Sequence, residues 1–264
     1  MGCVEVTLSD GIAEVRLNRP ARKNAFSLEM FDALAAAGEG LKTVPDLRVV
    51  ILYGAGGDFC SGLDLDVMQS LAGQVDEMRV RLLTPAPGEV ANWFQKPVCV
   101  WQELRVPVIA AVDGVCLGAG IQLALAADLR LCRPDARLSV MEAKWGLIPD
   151  MGLSQSLPKL MRADHAKELM MTARMMSGTE AEALGLVTRL ASDPLAAARD
   201  LAMELAAKSP EAINGIKTLV DRVWTLPQGE GLAVEAEIQA MILGSANQTE
   251  AVRANMETRQ AVFK

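Results

Sequence analysis

A chain of 264 residues that is 51% hydrophobic and 22% charged can bury a large core, as one domain or as a domain with an appendage. Its net charge of −7 excludes a general nucleic-acid surface, which needs a basic face. The five cysteines form no C-x-x-C pair and there is one histidine, His165, so the pattern excludes a metal cluster and predicts reduced thiols in a cytoplasmic protein.

Met1 to Asp10 lacks the basic region and apolar stretch of a secretion signal, and no apolar run reaches membrane-spanning length. Val4–Leu8 and Ile12–Leu17 flank Ser9-Asp10-Gly11 and predict a hairpin. Asn18-Arg19-Pro20 stops the second strand. Ser27 reads as the N-cap of a helix whose apolar positions are Met30, Phe31, Leu34 and Leu41. Val49–Tyr53 is a buried-type strand that leads into Gly56-Gly57-Asp58-Phe59-Cys60-Ser61-Gly62-Leu63-Asp64-Leu65. Residues 66–100 carry Gly73, Pro85, Pro87, Gly88 and Pro97 and predict a mobile loop with short helices, suited to a lid or pocket wall. Val106–Val112 is the next strand. It runs into Asp113-Gly114-Val115-Cys116-Leu117-Gly118-Ala119-Gly120 and a helix over Ile121–Ala127. Short strands follow at Leu129–Cys132 and Arg137–Val140. Helices are predicted at about 154–171, 179–184, 195–207, 211–224, 230–243 and 247–260. Strands interleaved with helices, then helices alone, make an α/β fold with a C-terminal helical extension. The apolar faces of those last helices have few partners left in one chain, which points to an oligomer.

The two glycine-broken segments carry the chemistry. Each joins a strand to a helix and leaves backbone N–H groups free at a helix N-terminus. The N–H of Leu63, after Gly62, and that of Ala119, between Gly118 and Gly120, are the candidate donors, and two such donors on one oxygen make an oxyanion hole. Tight turns with no ligand are the alternative.

These segments, with Asn18-Arg19-Pro20, Asn24-Ala25, Pro107 to Gly114, Ala126-Ala127-Asp128, Gly146-Leu147-Ile148-Pro149 and Ala181 to Val187, resemble the enoyl-CoA hydratase/isomerase (crotonase) family over about residues 5–260. The resemblance implies a spiral of ββα units over residues 1–195, a C-terminal helical trimerisation region over 196–264, and a homotrimer or dimer of trimers. It implies an acyl-CoA thioester as substrate, no cofactor beyond the CoA that belongs to that substrate, and no nucleic-acid or membrane partner. The positions of Leu63 and Ala119 would supply the oxyanion N–H groups. Ser61, Gly62, Asp64, Leu65 and Gly118 would bind the substrate or its CoA, and the basic pair Arg22-Lys23 would meet CoA phosphates or stay solvated. Of the two glutamates that family hydratases use, one position holds Gln122 and the other Glu142. Gln122 cannot take a proton at neutral pH but can hold water. Asp150 is a second carboxylate for moving a proton between two carbons, or the cap of a following helix. The expected function is therefore double-bond isomerisation of an unsaturated acyl-CoA through an enolate. The alternatives are hydration with Gln122 anchoring water, hydrolysis or dehalogenation with Asp150 as nucleophile, and a non-catalytic CoA-binding protein. His165 is expected on the surface, and Met141, Met151, Met170, Met171, Met175 and Met176 mostly in the core, with one or two lining an acyl pocket.

Overall fold

A computed structural model describes residues 2–264, the side chains of residues 71 and 72 excepted. Strands β1 (Val4–Ser9) and β2 (Ile12–Leu17) form the expected hairpin, with Ser9 opposite Ile12. Asp10 and Gly11 turn it, both in the left-handed region. β2 then pairs in parallel with β3 (Val49–Gly54), and β3 with β4 (Val108–Val112). Between β2 and β3 runs the helix Leu28–Leu41, where the Ser27 hydroxyl accepts the Met30 N–H at 3.2 Å, as the cap signal predicts. Its buried stripe of Met30, Phe31, Leu34 and Leu41 packs into the main core. Each such side chain is worth about 1.5–3 kcal/mol of burial.

The remaining strands are β5 (Val115–Leu117), β6 (Leu129–Cys132), β7 (Arg137–Ser139), β8 (Met176–Ser177) and β9 (Arg189–Leu190). The larger sheet runs β1-β2-β3-β4-β6-β9 and the smaller β5-β7-β8. In successive turns of the chain the first strand enters the larger sheet and the second the smaller: β4 then β5, β6 then β7. The β3 turn follows the same rule, because Cys60 bridges in parallel to Cys116 of β5. This is the crotonase spiral of ββα units, and it explains the near-continuous apolar character of β3 and β4, which are covered on both faces.

One expectation is corrected. The helix predicted over 154–171 is broken: Leu153–Ser156 is followed by a 3-10 turn, and a new helix begins at Ala163. Pro158 accounts for the break, since it lacks an N–H for a continuing helix. The helix Pro194–Ala206 runs across residues 195 and 196, and its Ala198 and Ala202 pack against Ile51, Ile109 and Leu131 of the larger sheet. The short helices expected within residues 66–100 are Leu65–Ala72, Val75–Leu83 and Lys96–Gln102. Of the methionines, Met171 and Met175 are exposed, whereas Met151 and Met176 are buried. His165 is half-buried on the helix Ala163–Thr172.

Candidate active site

The two glycine segments lie side by side because the strands before them are hydrogen-bonded. Phe59 N–H donates to Asp113 O, Cys60 N–H to Val115 O and Leu117 N–H back to Cys60 O, at 2.8–3.0 Å. The Asp58 carboxylate adds a side-chain tie, accepting the Val115 N–H at 2.9 Å. With Cys60 opposite Cys116, Gly62 and Gly118 stand two residues beyond in each segment, and Leu63 and Ala119 three beyond. The pair is thus one motif used twice, Cys-x-Gly followed by a donor, 56 residues apart.

The glycines are required for that approach. Gly62 has φ +95° and a Cβ there would lie 2.9 Å from the Leu117 carbonyl oxygen. Gly118 combines φ 52° with ψ −118°, a conformation open essentially to glycine alone. Among the described residues no acceptor meets the N–H of Leu63 or that of Ala119, the first residue of the helix Ala119–Ala126. Two unpaired N–H groups on adjacent turns, one at a helix N-terminus, suit an oxygen that carries negative charge.

A cavity of about 350 Å³ opens beside these turns. Gly62, Leu63 and Gly118 line it together with Met141, Glu142, Trp145 and Leu147, and Leu65, Met68 and Leu117 add apolar wall. Ser61, Asp64 and Arg22 also line it. The helix Leu65–Ala72 therefore supplies pocket wall, as the irregular composition of that stretch suggested.

Glu142 reaches the cavity because Gly118 N–H donates to Ser139 O at the end of β7, three residues before it. A Cβ on Gly118 would lie 3.6 Å from Glu142 Oε1. Gln122 Nε2 donates to Oε1 at 2.7 Å, while Oε2 is buried with no hydrogen-bond partner among the described residues. Burial pushes the Glu142 carboxyl above its usual range, and nearby Asp150 adds to the rise against the opposing backbone and Gln122 bonds. Burial likewise raises Asp150. Asp150 does not cap the following helix, whose N-cap is Gly152. Gln122 is 1% exposed and its Oε1 accepts the Met151 N–H at 2.9 Å, so its amide joins the helix Ala119–Ala126, Glu142 and the Met151 segment. Neither Gln122 nor Asp150 belongs to the cavity lining; they support it from the side of Glu142.

Asp64 lines the cavity and is also tied into an arginine network. Only 4% exposed, it accepts from Arg19 at 3.0 Å and from Arg22 at 2.8 Å, and the Arg22 guanidinium holds its carboxyl below the usual range. It braces the first turn, whose Gly62 carbonyl accepts the Phe26 N–H while Asp64 N–H donates to Phe26 O. Arg22 is thus largely occupied by Asp64 and Asp66, and Lys23 pairs with Asp58 at 3.2 Å outside the cavity lining. Sequence reasoning missed Asn24, which is fully buried and donates to the carbonyls of Ala55 and Asp58 at 2.9 and 2.7 Å. Its left-handed φ of 54° is a conformation asparagine tolerates, the one local signal that marks it.

Comparison with known proteins gives a consistent result. The family model described as enoyl-CoA hydratase/isomerase matches residues 7–264. A relative from Arabidopsis thaliana, a peroxisomal Δ(3,5)-Δ(2,4)-dienoyl-CoA isomerase, is 35% identical over 94% of this chain and 90% of its own. The mitochondrial methylglutaconyl-CoA hydratase of Mus musculus is 30% identical over 96% of this chain and 80% of its own. The crystal structure of an enoyl-CoA hydratase from Bacillus anthracis superposes with a TM-score of 0.89 at 28% identity, covering 99% of each chain.

Proposed function

The chain belongs to the enoyl-CoA hydratase/isomerase family of enzymes, and we propose that it moves a double bond in an unsaturated fatty acyl-CoA through an enolate. The N–H groups of Leu63 and Ala119 hold the thioester oxygen, and Glu142 transfers the proton. A proton beside a thioester carbonyl is weakly acidic, and removing it places charge on that oxygen. Two fixed N–H donors stabilise the charge as it forms, at about 3–4 kcal/mol each. CoA enters as part of the substrate; Arg22 and Ser61 at the cavity edge are its proposed neighbours, and Leu65, Met68 and Trp145 face apolar portions of the ligand.

The observation that carries isomerisation over hydration is the state of Gln122. Both ends of its amide are bonded, to Glu142 and to the Met151 N–H, and it is buried. The amide keeps a second N–H and a second acceptor lone pair, but Gln122 is 1% exposed and is not among the residues that line the cavity, so a water in the cavity does not meet it. Among the described residues the one carboxylate on the cavity wall besides the arginine-paired Asp64 is Glu142, which suits proton movement without an activated water. The test is a panel of 2-enoyl-, 3-enoyl- and 3,5-dienoyl-CoA substrates in heavy water. Double-bond movement with deuterium entering carbon supports the proposal, and conversion of 2-enoyl-CoA to its 3-hydroxy product as the main reaction defeats it.

Asp150 is proposed as the second carboxylate of the transfer. Its raised proton affinity and its influence on Glu142 support that role. Asp150→Asn is expected to lower isomerisation of the dienoyl substrate by about 10²-fold, the scale of one general acid–base group. Unchanged turnover on the whole panel would remove Asp150 from the chemistry.

A homotrimer or dimer of trimers is proposed from the C-terminal helices Pro210–Val223, Gln228–Ile242 and Ala246–Met256. Ile216, Trp224, Leu232 and Met241 are each more than half exposed there, and contact with a second copy would bury them. Light scattering is expected to return three or six times the chain mass, and a monomer mass would overturn this.

A further inference from the structure

A backbone N–H can only donate. The Met151 N–H therefore fixes which end of the Gln122 amide it meets, Oε1 at 2.9 Å. The other end, Nε2, is left facing Glu142, and it too can only donate, to Oε1 at 2.7 Å. A carboxyl oxygen that accepts an N–H at this distance is a poor place for a proton of its own. Oε2 is the remaining oxygen, buried and without a partner among the described residues.

We propose that Gln122 is a positioning residue that confines the transferable proton of Glu142 to Oε2, so that every proton Glu142 takes or gives passes through that one atom. This rests on the reading of Glu142 as the proton-transfer group. The steps balance on that atom. When ionised Glu142 acts, a substrate C–H bond breaks, an O–H bond forms at Oε2, and the electron pair moves through the conjugated system onto the thioester oxygen. When it delivers a proton, the O–H bond at Oε2 breaks, a C–H bond forms, and the electron pair returns from the oxygen. No water, oxidant or reductant enters.

Gln122 also donates to the ionised carboxylate and so favours it, opposing burial and the field of Asp150. Asp150 is the charged group whose field reaches Glu142 among the described residues, and the amide of Gln122 carries no charge of its own.

The experiment compares kcat and KM across pH for wild type, Gln122→Leu, Gln122→Glu and Glu142→Gln, with 3,5-dienoyl-CoA as substrate. Gln122→Glu keeps an acceptor for the Met151 N–H but offers Glu142 a proton only while the pair of carboxyls holds one. It is expected to work at low pH and to lose kcat as pH rises through a range where wild type is flat. Gln122→Leu is expected to lose about 10- to 100-fold in kcat, the cost of a misplaced catalytic group, with KM little changed and the acid limb moved to higher pH. A purely structural Gln122 predicts a wild-type pH profile for Gln122→Glu, and that result overturns the proposal. So does a wild-type kcat in Gln122→Leu when Glu142→Gln is inactive. Wild-type turnover in Glu142→Gln defeats the reading of Glu142 itself, and the role of Gln122 with it.

Discussion

Glu142→Gln is expected to lower turnover by about 10²-fold or more on whichever enoyl-CoA the wild type isomerises best, the loss of one general acid–base group. The substitution preserves shape, and its amide oxygen can still accept the Gln122 N–H that now meets Oε1. What it removes is the ability to take up and release a proton. Turnover close to wild type would sink the assignment. The pH dependence follows from the raised pKa. Activity that needs the ionised carboxylate falls as pH drops through a value above the ordinary range for glutamate. Stability runs the opposite way. A group whose folded pKa lies above its unfolded value contributes stability below the unfolded value and loses it as pH rises through the folded one. Wild type buries a Glu142 oxygen that has no hydrogen-bond partner among the described residues, so ionising the carboxyl costs stability. Glu142→Gln is expected to melt no lower than wild type while losing its chemistry, a combination that separates a functional group from a structural one.

Gly62→Ala is expected to lower kcat by about 10²- to 10³-fold, the cost of one displaced oxyanion donor. The added Cβ would stand 2.9 Å from the Leu117 carbonyl oxygen, which is backbone and cannot swing aside, and the position has φ +95°. Either the turn rotates, taking the Leu63 N–H with it, or the second segment shifts. Strain of about 1–3 kcal/mol accompanies the change. Gly57→Ala is the control, since Gly57 also has positive φ, +82°, but nothing within 4 Å of a Cβ. It is expected to cost stability and leave kcat unchanged. Wild-type kcat in folded Gly62→Ala would show that this turn does not hold the reacting oxygen.

The hairpin, the Ser27 cap and the strands around Val49 and Val108 were legible because hydrophobic periodicity and turn chemistry act over a few residues. Glu142 was legible by its resemblance to the family pattern, and Leu63 and Ala119 by glycine placement. The role of Gln122 was not. A buried glutamine looks the same in sequence whether it holds water or braces a carboxylate, and its two partners lie 20 and 29 residues away. The ion pairs of Asp64 were hidden for the same reason, since its partner Arg19 is 45 residues earlier.

By itself, then, the amino-acid sequence determined most of the strands and helices, the family, and the two turns that need glycine, since each depends on neighbours along the chain. Tertiary structure alone decided that those turns meet. The parallel bridge between Cys60 and Cys116 sets Gly62 beside Gly118, and the amide of Gln122 donates to one oxygen of Glu142 and leaves the other without a partner among the described residues. Hydrogen-bond direction and strand register are properties of groups brought together by folding, and no spacing along the chain encodes them.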